Sequence, residues 1–209
     1  MTPLRTSEIA TYLLLQNLLW LMLTWGAGAG QLWWPSLVAA AVLAAACWRA
    51  GSQWWRVGVI LAVGLMCAFA VDGSLIKIRL VGYAGADPAL PVPPLWIISL
   101  WLLFAATVAL PARRLLTSPI IAGILGAVVG PLAYLGGGAL GAIETNRNGL
   151  IVVGIFYALA TPILVLVANQ LLPVEPPGPG THRRERSPSQ SRRQGAGSKN
   201  SPGAGATPR

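Results

Sequence analysis

The stretch from Pro119 to Glu144 most constrains the fold, because it is long enough to cross a bilayer yet rich in glycine. At about 100° per residue, Tyr134 and Glu144 share one narrow helical stripe with five glycines. These are Gly123, Gly126, Gly130, Gly137 and Gly141. In lipid, such a stripe, here with GxxxG spacings, lets neighbouring backbones approach closely. The pattern predicts a helix from Pro119 to Ile143 that is the packing centre of a helical bundle.

Pro131 interrupts this predicted helix near its middle. Proline lacks a backbone donor and clashes with the preceding turn, so it predicts a kink near mid-membrane. Tyr134 follows within one turn and is expected to point into the bundle.

The composition indicates an integral membrane protein, since 55% of the 209 residues are hydrophobic and only 10% are charged. Much of the formal net charge of +9 comes from the C-terminal tail, so it favours a role in membrane topology over nucleic-acid binding. Cys47 and Cys67 lie inside apolar runs, which disfavours both a disulfide and a zinc site. We expect both to be small core residues.

The apolar runs predict an all-α fold, a bundle of about six transmembrane helices that fills residues 1–172. From Pro173 onward the chain is rich in Pro, Gly, Ser and Arg and is expected to be a disordered cytoplasmic tail, residues 173–209. No internal repeat is evident. Besides the glycine helix, the predicted helices are Ser7–Trp25, Leu32–Trp48, Val57–Val71, Leu95–Leu110 and Gly149–Leu172.

The first helix allows two interpretations, a retained span or a cleaved signal peptide, because small residues follow its apolar run. Glu8 and the length of the run favour a retained helix. Asn17, Trp20 and Thr24 recur at helical spacing and are expected to face the bundle.

The connection from Val71 to Pro94 is the longest inside the membrane domain. Its segment Leu75–Val81 alternates apolar and basic residues, which is consistent with a short interfacial helix or a re-entrant strand. Asp72, just after the third predicted helix, is expected at the membrane interface.

Basic residues predict that both termini are cytoplasmic, because alternate loops differ strongly in Lys and Arg content. In this orientation only Lys77, Arg79 and Arg147 lie outside, near Asp72, Asp87 and Glu144. The tail and five other arginines lie inside: Arg5, Arg49, Arg56, Arg113 and Arg114.

The exterior charges form a candidate ligand or polar site, with Tyr134 and the glycine face beneath it as a floor. Its charged members are Asp72, Lys77, Arg79, Glu144 and Arg147. The alternative is that these are ordinary interfacial charges in water. No nucleophile motif or metal-spaced cluster supports catalysis, and His182, the single histidine, lies in the tail. We therefore expect no catalytic, metal or cofactor residue.

Several segments resemble an uncharacterised bacterial inner-membrane family, domain of unknown function 2878, across roughly Leu13 to Leu172. The matching segments are Gln16–Trp20, Asp72–Leu75, Pro94–Trp96, Leu100–Phe104, Gly130–Tyr134 and Leu140–Ala142. The resemblance implies a small polytopic inner-membrane protein and supplies no activity. Ala133 stands where the family often has serine, and the basic tail is an addition.

Three function classes follow: a small-molecule binding or transport unit, an accessory subunit that packs against another membrane protein, and, least favoured, a membrane enzyme. The expected partners are the lipid bilayer, anionic lipid head groups near the basic tail, and a membrane protein or a second copy of the chain. Nucleic-acid binding by the tail is a weaker alternative.

Overall fold

A computed structural model describes residues 6–87, 89–109 and 118–172, with side chains from residue 9 onward. The described chain is a bundle of six α-helices with one small two-stranded antiparallel sheet, which confirms the predicted all-α membrane fold. Four helices are long and apolar enough to cross a membrane, and two shorter apolar helices pack with them. The predicted tail, the boundary at Pro173 and the basic pair Arg113 and Arg114 lie outside the described residues.

The described part of the chain contains six α-helices and two short strands. The helices are α1 (Thr6–Gly28), α2 (Trp34–Arg49), α3 (Trp54–Lys77), α4 (Leu95–Ala109), α5 (Pro119–Ala139) and α6 (Arg147–Leu171). The strands are β1 (Val81–Tyr83) and β2 (Ile143–Thr145), paired antiparallel with Tyr83 opposite Ile143.

Local sequence signals explain where the last two helices begin. Ser118 caps α5 by accepting a hydrogen bond from the Ile121 amide, and Pro119 occupies the first turn, where its missing N–H costs nothing. Asn146 caps α6, since its Oδ1 accepts from the Gly149 amide at 2.9 Å.

Consecutive helices run in alternating directions across the bundle. At one end, Gly28 of α1 lies against the Leu140 carbonyl that follows α5. At the other end, Arg56 at the start of α3 donates to the Leu171 carbonyl at the end of α6, at 3.1 Å. The paired strands β1 and β2 therefore lie at the same end of the bundle as Gly28.

The largest helix interface joins α5 and α6, and both helices carry the pattern G-I-x-x-A-x-x-x-P. A Cβ at Gly123 would lie 3.1 Å from the Ala158 carbonyl oxygen and 3.3 Å from Pro162. In the reciprocal contact, a Cβ at Gly154 would lie 3.2 Å from the Ala127 carbonyl oxygen and 3.3 Å from Pro131. The two helices thus cross as a nearly two-fold antiparallel pair.

This reciprocal contact follows from the chemistry of proline. Pro131 and Pro162 have no N–H, so the carbonyls four residues earlier, those of Ala127 and Ala158, lose their usual helical donor. Each of these carbonyls faces a glycine of the opposite helix, where Cα–H groups can approach it. This short match between Gly123–Pro131 and Gly154–Pro162 corrects the expectation of no internal repeat.

The structure corrects the predicted boundaries around the long connection. The third helix continues to Lys77, so Asp72 lies inside α3, and its side chain is completely buried within the bundle. The segment Leu75–Val81 is neither an interfacial helix nor a re-entrant strand. It ends α3, turns through Arg79 at φ 55° and leads into β1.

The glycine helix is also shorter than predicted, since α5 ends at Ala139 and Ile143 belongs to β2. Gly126, Gly130 and Gly137 are buried, and Gly123 is partly buried. Gly141 lies beyond the helix in an exposed turn with φ 74°, a conformation that glycine adopts without strain.

We predict that Gly130→Leu destabilises the bundle much more than Val128→Leu. A Cβ at Gly130 would lie 2.7 Å from the Tyr157 ring, whereas Val128 is 54% exposed on the outer face. Overpacking of this kind costs about 1–3 kcal/mol. Thermal unfolding in detergent measures both variants, and equal melting temperatures would contradict the close packing of Gly130 on α6.

Candidate functional site

A buried cluster surrounds the Asp72 carboxylate. Its Oδ1 accepts hydrogen bonds from the hydroxyls of Tyr83, at 2.6 Å, and Tyr134. Its Oδ2 accepts from the Trp101 indole N–H at 2.5 Å. The two tyrosine hydroxyls are 2.8 Å apart. We call these four residues the Asp72 cluster.

Four separate elements supply the Asp72 cluster. Asp72 comes from α3, Tyr83 from β1, Trp101 from α4 and Tyr134 from α5. The register of the antiparallel strands places Tyr83 beside Ile143 of β2. Because a single carboxylate binds all three donors, it fixes these elements relative to one another.

The surroundings of Asp72 are apolar, and the three side chains that donate to it are uncharged. A carboxylate in such a position is costly unless its oxygens are hydrogen-bonded. Burial raises the pKa of the Tyr83 hydroxyl well above its usual range, and the charge of Asp72 raises it further. Tyr83 therefore remains a protonated donor at physiological pH.

Tyr157 of α6 joins the Asp72 cluster to a cavity. Its ring centre lies 5.0 Å from that of Trp101 and 6.0 Å from that of Tyr134, the latter nearly edge-on. Tyr134, Trp101 and Tyr157 all line the cavity, whereas Asp72 and Tyr83 lie behind this aromatic wall.

The cavity has a volume of about 540 Å³ and lies between α1, α4, α5 and α6. No charged side chain lines it within the described residues. Most of the lining is aliphatic or aromatic, including Trp20, Trp96 and Phe104. The other polar side chains that line it are Gln16, Asn17, Thr24, Thr107 and Thr161.

Helices α1 and α5 line one side of the cavity. They converge at the end next to the paired strands, with Gly28 against Leu140 and the Trp20 ring 2.9 Å from a Cβ placed at Gly136. Farther from that end, three α5 residues line the cavity and are 43%, 56% and 58% exposed. These residues are Leu125, Val129 and Leu132.

Thr161 provides an unpartnered hydroxyl that is packed against Gly126 in the interface between α5 and α6. It is 3% exposed, and its Oγ1 has no hydrogen-bond partner. Two other cavity hydroxyls are bonded: Thr24 donates to the Trp20 carbonyl at 2.8 Å, and Thr107 to Gln16 Oε1 at 3.0 Å. A buried hydroxyl without a partner calls for a specific explanation.

Of the predicted site residues, the structure brings Asp72 and Tyr134 together. It leaves the predicted cations and Glu144 exposed, away from the Asp72 cluster and the cavity lining. The exposed members are Lys77, Arg79, Glu144 and Arg147. Tyr134 forms part of a cavity wall within the bundle. Asn17, Trp20 and Thr24, expected to face the bundle, all line the cavity, although Asn17 is also exposed.

Sequence reasoning missed Tyr83, Trp101, Tyr157 and Thr161. A signal existed for Trp101, since a tryptophan far from the ends of an apolar helix needs an acceptor for its N–H. Tyr83 had no such signal, because its role depends on the register in which β1 pairs with β2. Within the described ranges, no group of three or more His, Cys, Asp or Glu side chains is arranged to hold a metal ion.

We predict that Asp72→Leu lowers the free energy of unfolding by at least about 3 kcal/mol, because it leaves buried donors unpaired at about 1–3 kcal/mol each. Asp72→Asn retains an acceptor oxygen and is expected to cost less than half as much. Asp87→Leu is the matched control, since Asp87 is exposed. Denaturation in mixed micelles measures all three, and equal effects of Asp72→Leu and Asp87→Leu would refute the structural role of the cluster.

Comparison with known proteins places the chain in a family without assigning an activity. The family described as "Protein of unknown function (DUF2878)" matches residues 8–163, which include most of α1, all of α2 to α5, both strands and much of α6. Neither a curated protein nor a solved structure matches the chain. Since the match covers well over half of the sequence, the protein belongs to the DUF2878 family.

Proposed function

We propose that this protein is a small-molecule binding or transport unit of the bacterial inner membrane, and that its ligand occupies the cavity between α1, α4, α5 and α6. The observation that carries the proposal is a cavity of about 540 Å³ that no charged described side chain lines. An uncharged, mostly apolar ligand is complementary to this lining.

The lining has the character of small-molecule sites in general. Such sites are concave, hold about 300–1,000 Å³ and combine apolar and aromatic walls with a few polar groups. Here Trp20, Trp96, Trp101 and Phe104 provide broad apolar surfaces, and the threonine and amide side chains provide hydrogen-bonding positions.

The interrupted helices give independent support. In many transporters, Gly- or Pro-interrupted helices in corresponding positions line the substrate site. The helices α5 and α6 carry matching Gly-to-Pro segments, and residues of both segments line the cavity, including Gly126, Gly130, Tyr157 and Thr161.

We predict that the neutral fluorophore 1-aminoanthracene binds to the protein in phosphatidylcholine nanodiscs and quenches the cavity tryptophans. Ala133→Phe is expected to weaken this binding at least about tenfold, because Ala133 lines the cavity and a phenyl ring would fill part of it. Val128→Phe is the control, since Val128 is exposed and does not line the cavity.

The measurement is a fluorescence titration with empty nanodiscs subtracted. If both variants bind the fluorophore as the natural sequence does, the cavity is not the binding site. Unchanged melting temperatures for both variants are required for the comparison, and a folded Ala133→Gly variant gives a second test, with binding at least as strong as that of the natural sequence.

We also propose that both termini are cytoplasmic, which the sequence supports through its excess of basic residues on one side. Reporter fusions after Arg114 and after Pro173 are expected to read cytoplasmic, and fusions after Asp87 and after Arg147 to read exterior. A cytoplasmic signal after Asp87 would contradict this orientation. An interior reading after Arg147 would contradict it as well, since the structure places β2 beside β1.

A further inference from the structure

We propose that an anionic glycerophospholipid binds to the surface of α5 and α6, with its phosphate at Arg147 and one acyl chain in a groove between the two helices. This α5–α6 groove has a volume of about 460 Å³. None of the described residues that line it also lines the cavity between α1, α4, α5 and α6. The site is therefore separate from that of the proposed function.

The α5–α6 groove follows the crossing of the two Gly-to-Pro segments. Two residues of each segment line it: Ala127 and Pro131 from α5, and Gly154 and Ala158 from α6. A Cβ at Gly154 would lie 3.2 Å from the Ala127 carbonyl oxygen and 3.3 Å from Pro131. The helices are thus in contact along the groove, and small side chains leave a depression above that contact.

The groove faces the hydrocarbon of the bilayer. Ile151 and Ile155 of α6 also line it, and they are 55% and 54% exposed. Both α5 and α6 are long and apolar enough to span a membrane, so apolar residues exposed along them meet acyl chains. A bound chain would lie between these isoleucines and the surface of α5.

Arg147 adds a positive charge at one end of the groove. It is exposed, begins α6 and is the charged member of the described lining. Arginine at the end of a membrane-spanning helix lies near the lipid head groups. A guanidinium donates two parallel N–H···O bonds to a phosphate, and an anionic lipid has no ammonium group to offset this attraction. Glu144 of β2 is also exposed but does not line the groove.

The length of the groove matches one leaflet. From Arg147 to Ala158, α6 rises about 16 Å at 1.5 Å per residue. The hydrocarbon core of a bilayer is about 30 Å thick, so one leaflet provides about 15 Å. The groove therefore extends from the head groups to about the middle of the bilayer, as one acyl chain does. A transmembrane helix of a partner would cross both leaflets and matches the groove less well.

The test uses the full chain in phosphatidylcholine nanodiscs that contain a trace of phosphatidylglycerol with a diazirine at the end of one acyl chain. Phosphatidylcholine with the same labelled chain is the reference probe. After irradiation, mass spectrometry of peptides locates the label. We expect phosphatidylglycerol to label residues 127–131 and 154–158 about fivefold more than phosphatidylcholine does, the effect of one basic residue near an anionic head group.

Variants of Arg147 test the head-group contact. Arg147→Gln is expected to lower labelling by phosphatidylglycerol to the level of phosphatidylcholine, whereas Arg147→Lys keeps the charge and retains most of it. Arg79→Gln is the control, since Arg79 is exposed and does not line the groove. Equal labelling of the natural sequence by the two probes would overturn the proposal, as would equal losses in Arg147→Gln and Arg79→Gln.

A second pair of variants tests the position of the acyl chain. Ile155→Trp places an indole in the groove and is expected to abolish labelling of residues 127–131. Ile163→Trp is the control, because Ile163 is 49% exposed on the same helix and does not line the groove. Unchanged labelling in Ile155→Trp would refute the place of the chain. These outcomes are independent of fluorophore binding in the cavity, which Ala133→Phe tests.

Discussion

The end of the bundle next to the paired strands β1 and β2 depends on the hydrogen bonds of the buried Asp72 carboxylate. A carboxylate in an apolar interior is tolerated only when donors surround it, and here Tyr83, Trp101 and Tyr134 donate to it from three different elements. Loss of any one of these donors would leave a buried carboxylate oxygen with one hydrogen bond fewer. The cost of burying the carboxylate thus selects one relative position for α3, α4, α5 and the two paired strands.

A second constraint comes from the bilayer, in which a backbone carbonyl cannot turn to water. The prolines of α5 and α6 each deprive one carbonyl of its helical donor, and each affected carbonyl lies against a glycine of the other helix. Small residues at Gly123 and Gly154 are therefore required by the prolines at Pro162 and Pro131. The two helices stabilise each other through a reciprocal exchange that one helix alone could not make.

The number and order of the helices could be predicted because runs of apolar residues are long and are separated by polar or small residues. The burial of Gly126, Gly130 and Gly137 followed from helical periodicity. The Asp72 cluster could not be predicted fully. Its position depends on α3 continuing beyond the apolar run to Lys77, and on strand pairing across the long separation between Val81 and Thr145.

The exterior charge site was expected because Lys77, Arg79, Glu144 and Arg147 lie near one another in the helix-and-loop order. Their charges are served well by water, and the structure leaves them exposed. A neutral polar residue such as Thr161 cannot be singled out from the sequence, because most threonines in membrane helices hydrogen-bond within their own helix. Whether one has a partner becomes visible only in three dimensions.

The cavity itself follows from a break in the near two-fold relation between α5 and α6. In the aligned Gly-to-Pro segments, Gly126 of α5 corresponds to Tyr157 of α6, and Gly130 corresponds to Thr161. The glycines of one helix thus receive the side chains of the other, since a Cβ at Gly130 would lie 2.7 Å from the Tyr157 ring and one at Gly126 would lie 2.5 Å from Thr161 Oγ1. A symmetric pair with glycine at all four positions would pack backbone to backbone and leave no polar wall. Because only one helix carries the larger residues, α6 packs an aromatic ring and a hydroxyl against the glycines of α5, and the Tyr157 ring forms part of the cavity wall.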